Sequence, residues 1–146
     1  MDTACEASFW RLIGVTAQAM RSYADQRLKS YDLTVEQLQV MKQADLYDGL
    51  PQRVLSALTG KSAANMTRLL DRLEKKNRIV RKLNPEDRRS ILVFLTKEGK
   101  VLKDEVLYLF ENLRAGLVQG IEEDKQQVAA EVLRAIGNNI EKMSER

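Results

Sequence analysis

The apolar residues of this chain change their period twice, and that change limits the fold more than any other feature. Met66, Leu69, Leu70 and Leu73 stand at i, i+3, i+4 and i+7, which lines one face of a helix. Beyond Asn77 the pattern alternates, with Ile79, Arg81 and Leu83 set against Val80 and Lys82, and then runs through Ile91-Leu92-Val93-Phe94-Leu95. From Thr96 the helical period returns. Between the two strand-like runs lies only Asn84-Pro85-Glu86-Asp87-Arg88-Arg89, a turn-forming segment, so the strands are expected to form a hairpin with arginines at its tip. The chain is therefore expected to be mainly α with a small β-hairpin wing.

Upstream, Phe9, Leu12, Ile13, Met20, Tyr23, Leu28 and Tyr31 recur at helical spacing and predict one long amphipathic helix over about residues 6–31. Thr34-Val35-Glu36-Gln37 is a capping-box pattern, flanked by Leu33 and Leu38 as a hydrophobic staple, so a second helix starts at Thr34. It carries Leu38, Val40 and Met41 inward and ends before Asp48-Gly49. Pro51 suits the first position of a third helix reaching Leu58. Gly60 then supplies a left-handed turn, and Ser62 caps the fourth helix. A short helix, a glycine turn and a longer helix make a helix-turn-helix, here followed by the hairpin.

Charge is distributed unevenly along the chain. Residues 51–103 hold 14 Lys or Arg against 5 Asp or Glu, while the chain as a whole carries only +3. A basic middle held by an acidic or neutral scaffold points to a polyanionic partner. The face of the fourth helix opposite its leucines is formed by Ala64, Arg68, Asp71 and Lys75, with Asn65, Thr67 and Arg72 on its flanks and Lys76 at its end. The small residues at its start let the backbone approach a surface closely. Together with the arginine-tipped hairpin, this suits a helix in the major groove of double-stranded DNA and an arginine in the minor groove.

Catalytic chemistry finds little support. The chain has no histidine and one cysteine, Cys5, and lacks GxSxG, GxxxxGK[ST], HExxH and GxGxxG patterns. No enzyme activity, metal or cofactor is expected. The longest aliphatic and aromatic run, Ile91 to Leu95, is far short of the roughly 20 residues of a membrane span. Met1-Asp2-Thr3-Ala4-Cys5-Glu6 lacks the basic start and apolar stretch of a secretory signal, and a cytoplasmic location is expected.

After Thr96 two further helices are expected, one with Leu102, Val106, Leu109, Phe110, Leu113 and Leu117 on a stripe, the other with Val128, Val132, Leu133, Ile136, Ile140 and Met143, breaking near Gly116 to Gly120. A small three-helix core cannot cover these stripes, so a homodimer interface is their economical use.

Several motifs taken together, Leu33-Thr34-x-x-Gln37, the run Thr67-Arg68-Leu69-Leu70-Asp71-Arg72-Leu73-Glu74-Lys75-Lys76, Asn84-Pro85-x-Asp87-Arg88-Arg89 and Leu95-Thr96-x-x-Gly99, resemble the MarR family of bacterial transcription regulators over about residues 30–103. The resemblance implies a winged helix-turn-helix dimer, usually a repressor released by a small-molecule effector or an oxidant. It implies one domain over residues 1–146, with a DNA-binding lobe at 34–95 flanked by dimerisation helices at 1–31 and 96–146. The residues expected at DNA are Ser62, Ala64, Asn65, Thr67, Arg68, Arg72, Lys75 and Lys76 on the recognition helix and Asp87, Arg88 and Arg89 on the wing. By the same carry-over, Asp87 orients Arg89 through a salt bridge, Arg89 enters the minor groove and Arg88 lies near phosphate.

The chain departs from the family pattern at Asn77, where glycine is usual, at Leu50-Pro51 and at Lys61-Ser62-Ala63-Ala64. The peroxide-sensing branch places its cysteine where this chain has Trp10, and Cys5 does not match it. Two other classes compete: a helical protein-interaction module without DNA binding, which leaves the arginine-tipped hairpin unexplained, and a thiol enzyme, which rests on Cys5 alone.

Overall fold

A computed structural model of the chain describes residues 3–145, with side chains described from Ser8 onward; the Cys5 thiol lies outside them. Two compact units are present, one reaching Val106 and the other beginning at Leu107.

The first unit opens with α1 (Thr3–Leu28), which passes into a short 3-10 turn, Lys29–Tyr31. The expected single helix thus tightens over its last three residues. The chain then turns at Asp32, held in the left-handed region at φ 51°. The capping box forms as the sequence predicts: Thr34 Oγ1 accepts the Gln37 amide at 3.2 Å and Gln37 Oε1 accepts the Thr34 amide at 3.1 Å, starting α2 (Val35–Asp45). Next come β1 (Leu50–Pro51), α3 (Gln52–Thr59), α4 (Ala63–Lys75), β2 (Ile79–Leu83), β3 (Ile91–Leu95) and α5 (Lys97–Leu117). Gly60, at φ 65°, closes α3, and Ser62 Oγ accepts the Asn65 amide at 3.2 Å to open α4.

The sheet has three antiparallel strands in the order β1-β3-β2, where sequence reasoning foresaw two. Ile79 pairs with Leu95 and Leu83 with Ile91 across the hairpin, while Leu50 pairs with Val93 and Pro51 with Leu92 on the other side of β3. Pro51 is therefore an edge-strand residue and the cap of α3 rather than its first helical residue. At the edge its missing amide costs no ladder bond.

The core of this unit gathers Leu28, Val40, Met41, Leu55, Met66, Leu70, Leu73, Ile79, Val93 and Val106, all essentially inaccessible to solvent. The stripe Met66, Leu69, Leu70, Leu73 is buried in full, so the rest of α4 faces outward. Burial at this level contributes about 1.5–3 kcal/mol per large aliphatic side chain. Thr96 locks the sheet to α5: its hydroxyl donates to the Asn77 carbonyl at 2.7 Å and accepts the Gly99 amide at 2.9 Å. A Cβ on Gly99 would sit 2.0 Å from the Arg78 carbonyl oxygen, so only glycine fits that approach.

The second unit comprises the end of α5 and α6 (Glu123–Ser144), separated by a turn in which Gly120 takes φ 78°. No residue of α6 is buried; Val128, Val132, Leu133, Ile140 and Met143 of its expected stripe are each at least 42% exposed. In α1, likewise, Trp10, Leu12, Val15 and Met20 are each more than half exposed. No helix among the described residues is long and apolar enough to cross a membrane.

Candidate nucleic-acid interface

Ala64, Asn65, Arg68, Arg72 and Lys75 lie together on the exposed side of α4, in the arrangement that helical periodicity requires. Other members of the expected set already have local work. Ser62 is the cap of α4. The Thr67 hydroxyl donates to the Ala63 carbonyl and accepts from Gln52 Nε2, both at 3.0 Å. This fastens the first turn of α3 to α4 and leaves Gln52 Oε1 buried without a partner.

Lys76, expected at DNA, is already engaged within the protein. The helix stops at Lys75, Asn77 takes the left-handed conformation at φ 57°, and the Lys76 ammonium meets the Asp32 carboxylate at 2.5 Å and its carbonyl at 3.1 Å. That hydrogen bond, reinforced by the charges of Lys76 and Arg78, holds the Asp32 carboxyl below its usual range against a smaller opposing effect of burial. Arg78 reinforces the same corner, with its two terminal nitrogens donating to the Tyr31 and Asp32 carbonyls at 2.6 Å. These carbonyls end the 3-10 turn and have no intrahelical donors, so the guanidinium fork satisfies both. Partial burial lowers the Arg78 pKa, which Asp32 partly offsets.

The wing is tied to the helix by Arg81. Its guanidinium meets Asp71 at 2.5 Å and Glu74 at 2.9 Å, and its backbone amide donates to Glu74 at 2.9 Å. The Arg81 hydrogen bond pulls the Glu74 carboxyl below the usual glutamate range, and the same bond raises Arg81. Asp71, on the outward face by periodicity, is therefore a partner of the wing rather than of an external ligand.

At the wing tip Asp87, Arg88 and Arg89 are all exposed. The expected salt bridge from Asp87 to the Arg89 guanidinium is not formed: Asp87 Oδ1 accepts the Arg89 backbone amide at 3.0 Å. A carboxylate two residues ahead reaches that amide most directly, as an Asx turn. With Asn84 Oδ1 accepting the Glu86 amide at 3.0 Å and Asn84 N donating to the Ser90 carbonyl at 2.9 Å, the loop backbone is fixed while the guanidinium is not. Arg89 borders a groove of about 520 Å³ whose opposite wall includes Gln52 and Arg53 from the first turn of α3. Sequence reasoning missed Arg53; its place at the start of the first helix of a helix-turn-helix was the available signal. Among the described residues no cluster of His, Cys, Asp and Glu suited to a metal is present.

The MarR family model matches residues 33–91, from the α2 cap to the start of β3. An uncharacterized HTH-type transcriptional regulator of Bacillus cereus is 32% identical over 107 residues, covering 73% of this chain and 70% of the relative. Another, YwaE of Bacillus subtilis, is 26% identical over 113 residues, 77% of this chain and 66% of the relative, just under two thirds of its length. Among solved structures, a mutant MarR from E. coli in complex with operator DNA superposes with a TM-score of 0.82 at 25% identity, covering 93% of this chain and 99% of that one.

Proposed function

Since the chain belongs to the MarR family of transcriptional regulators, we propose that it is a repressor that binds a palindromic operator in double-stranded DNA as a homodimer and is released by a small-molecule effector. It is a DNA-binding regulator and not an enzyme. The observation that carries the operator reading is the tie of β2 to α4 through Arg81, paired with Asp71 and Glu74, which sets the wing beside the exposed face of α4 with the Arg89 side chain exposed at its tip. In this reading α4 enters the major groove with Ala64, Asn65, Arg68, Arg72 and Lys75, and Arg89 reaches the adjacent minor groove. The winged lobe at 34–95 does the reading, while the helices at 1–31 and 96–146 dimerise in one domain. The apolar side chains left exposed on α1 and α6 support a partner of the same kind, and a two-fold dimer matches a palindrome.

Selection of source-genome fragments by the full-length protein, with light scattering at the same concentration, tests this. The expected result is a dimer that enriches a two-fold symmetric sequence, with affinity falling steeply with salt. A monomer, or a pool with no enriched sequence, sinks the reading.

A further inference from the structure

A groove of about 470 Å³ runs between α1, the start of α2 and one flank of α4. Arg21 enters it from α1, Lys61 from the turn before α4, and Arg68 and Arg72 from α4 itself. Lys61 is paired with Glu36 at 3.0 Å. Among the described residues no carboxylate oxygen lies within 4.0 Å of the guanidinium nitrogens of Arg21, Arg68 or Arg72. The acid on the α1 wall, Asp25, accepts the Val35 amide at 2.8 Å, so the first turn of α2 is already capped and the positive charge comes from side chains. Three arginines without a carboxylate partner within 4.0 Å border one groove, and with Lys61 they outnumber its two acids, Asp25 and Glu36, so its lining is net positive and matches a phosphate, which takes forked hydrogen bonds from arginine.

The geometry also indicates which phosphate. A helix about 10–12 Å across fills a major groove about 12 Å wide, so a nucleic-acid backbone must run along each flank of α4. Residues 61, 65, 68 and 72 follow one flank at helical spacing, and that flank is the one facing Arg21. We infer that Arg21 is a DNA-backbone contact which, with Arg68 and Arg72, grips a phosphate of the strand beside α4. The long helix α1 thereby belongs to the DNA-binding surface as well as to the dimer. This rests on the operator-binding reading above and extends it to a residue outside the helix-turn-helix.

The test compares the parent with Arg21→Gln and Arg21→Lys by fluorescence anisotropy, over a salt series, on a duplex selected with the full-length protein and on a scrambled duplex. Arg21→Gln is expected to weaken both duplexes by the same factor and to make the slope of log affinity against log salt shallower by roughly 0.9, the value for one phosphate contact. Arg21→Lys restores the slope, and circular dichroism confirms the fold of each variant. An unchanged slope and affinity in Arg21→Gln, while the parent binds, overturns the inference, as does a change in preference between the duplexes. Thermal protection of the parent by inorganic phosphate that Arg21→Gln loses, with the DNA slope intact, assigns the groove to a free anion and overturns it too. A parent that binds neither duplex removes the operator reading itself, and so is a separate failure.

Discussion

Glu74 holds Arg81 at two points, accepting its backbone amide with one carboxylate oxygen and its guanidinium with the other, both at 2.9 Å. One residue of α4 thus sets both the height and the direction of the wing strand. Glu74→Gln is expected to cost about 1 kcal/mol at neutral pH, the lower side of a charge-assisted hydrogen bond because the Glu74 side chain is 37% exposed and screened. Its carboxyl pKa is depressed in the folded protein, so the stabilisation is complete above the unfolded value of about 4.3 and is lost as pH falls through the folded value. The difference between parent and variant in urea titrations should therefore begin to shrink below about pH 4.3 and close only below the depressed folded value, and a gap that stays constant throughout removes the ion pair as its cause.

Arg78→Ala removes the donor of the Tyr31 carbonyl at the end of the 3-10 turn and leaves the Asp32 carbonyl with the Lys76 ammonium alone. A loss of roughly 1–3 kcal/mol is expected, with Arg78→Lys recovering only part because an ammonium lacks the two-pronged fork. Chemical denaturation of the three proteins decides it. Full recovery by lysine would mean that charge beside Asp32, and not the paired carbonyls, is what matters.

Two glycines of α5 should respond to alanine with opposite signs. Gly99→Ala drives a Cβ into the Arg78 carbonyl and is expected to cost about 1–3 kcal/mol or more. At Gly116 a Cβ meets nothing within 4 Å, and Gly116→Ala should stabilise by up to about 1 kcal/mol through backbone entropy. Melting temperatures that move the same way for both would contradict the close approach at Gly99.

At the wing tip, Arg89→Ala is expected to weaken operator binding by roughly 1–3 kcal/mol while leaving the melting temperature nearly unchanged. Asp87→Asn separates the two roles open to Asp87. An asparagine Oδ1 still accepts the Arg89 amide, so this variant should bind better than Asp87→Ala. Equal defects in the two variants would restore the side-chain salt bridge as the operative contact.

The legible parts of the fold were those written in short range. The Thr34 and Gln37 capping pair, the leucine stripe of α4 and the Gly60 turn all depend on residues within one or two helical turns, and each is found as read. Strand β1 was missed because two residues carry no period, and because Pro51 fits a helix start as well as a sheet edge. The ties of Lys76 to Asp32 and Lys103 to Asp45 span 44 and 58 positions, which no local pattern encodes. Of the candidate site, the exposed residues were legible from helical phase, whereas the engagement of Thr67, Asp71 and Lys76 within the protein was settled by neighbours that only folding supplies.

Strand β3 lies between β1 and β2 in space but follows both in the chain. On the ribosome, therefore, neither earlier strand has a partner until β3 begins to emerge. Leu50 and Pro51 wait for Val93 and Leu92, and Ile79 waits for Leu95 itself. Helices α2 to α4 are made before the sheet that closes over them, and their buried faces stay uncovered for the time needed to translate the wing. The lobe becomes a finished object late, so a messenger cut short before the first codon of β3 yields a chain with no sheet and no wing.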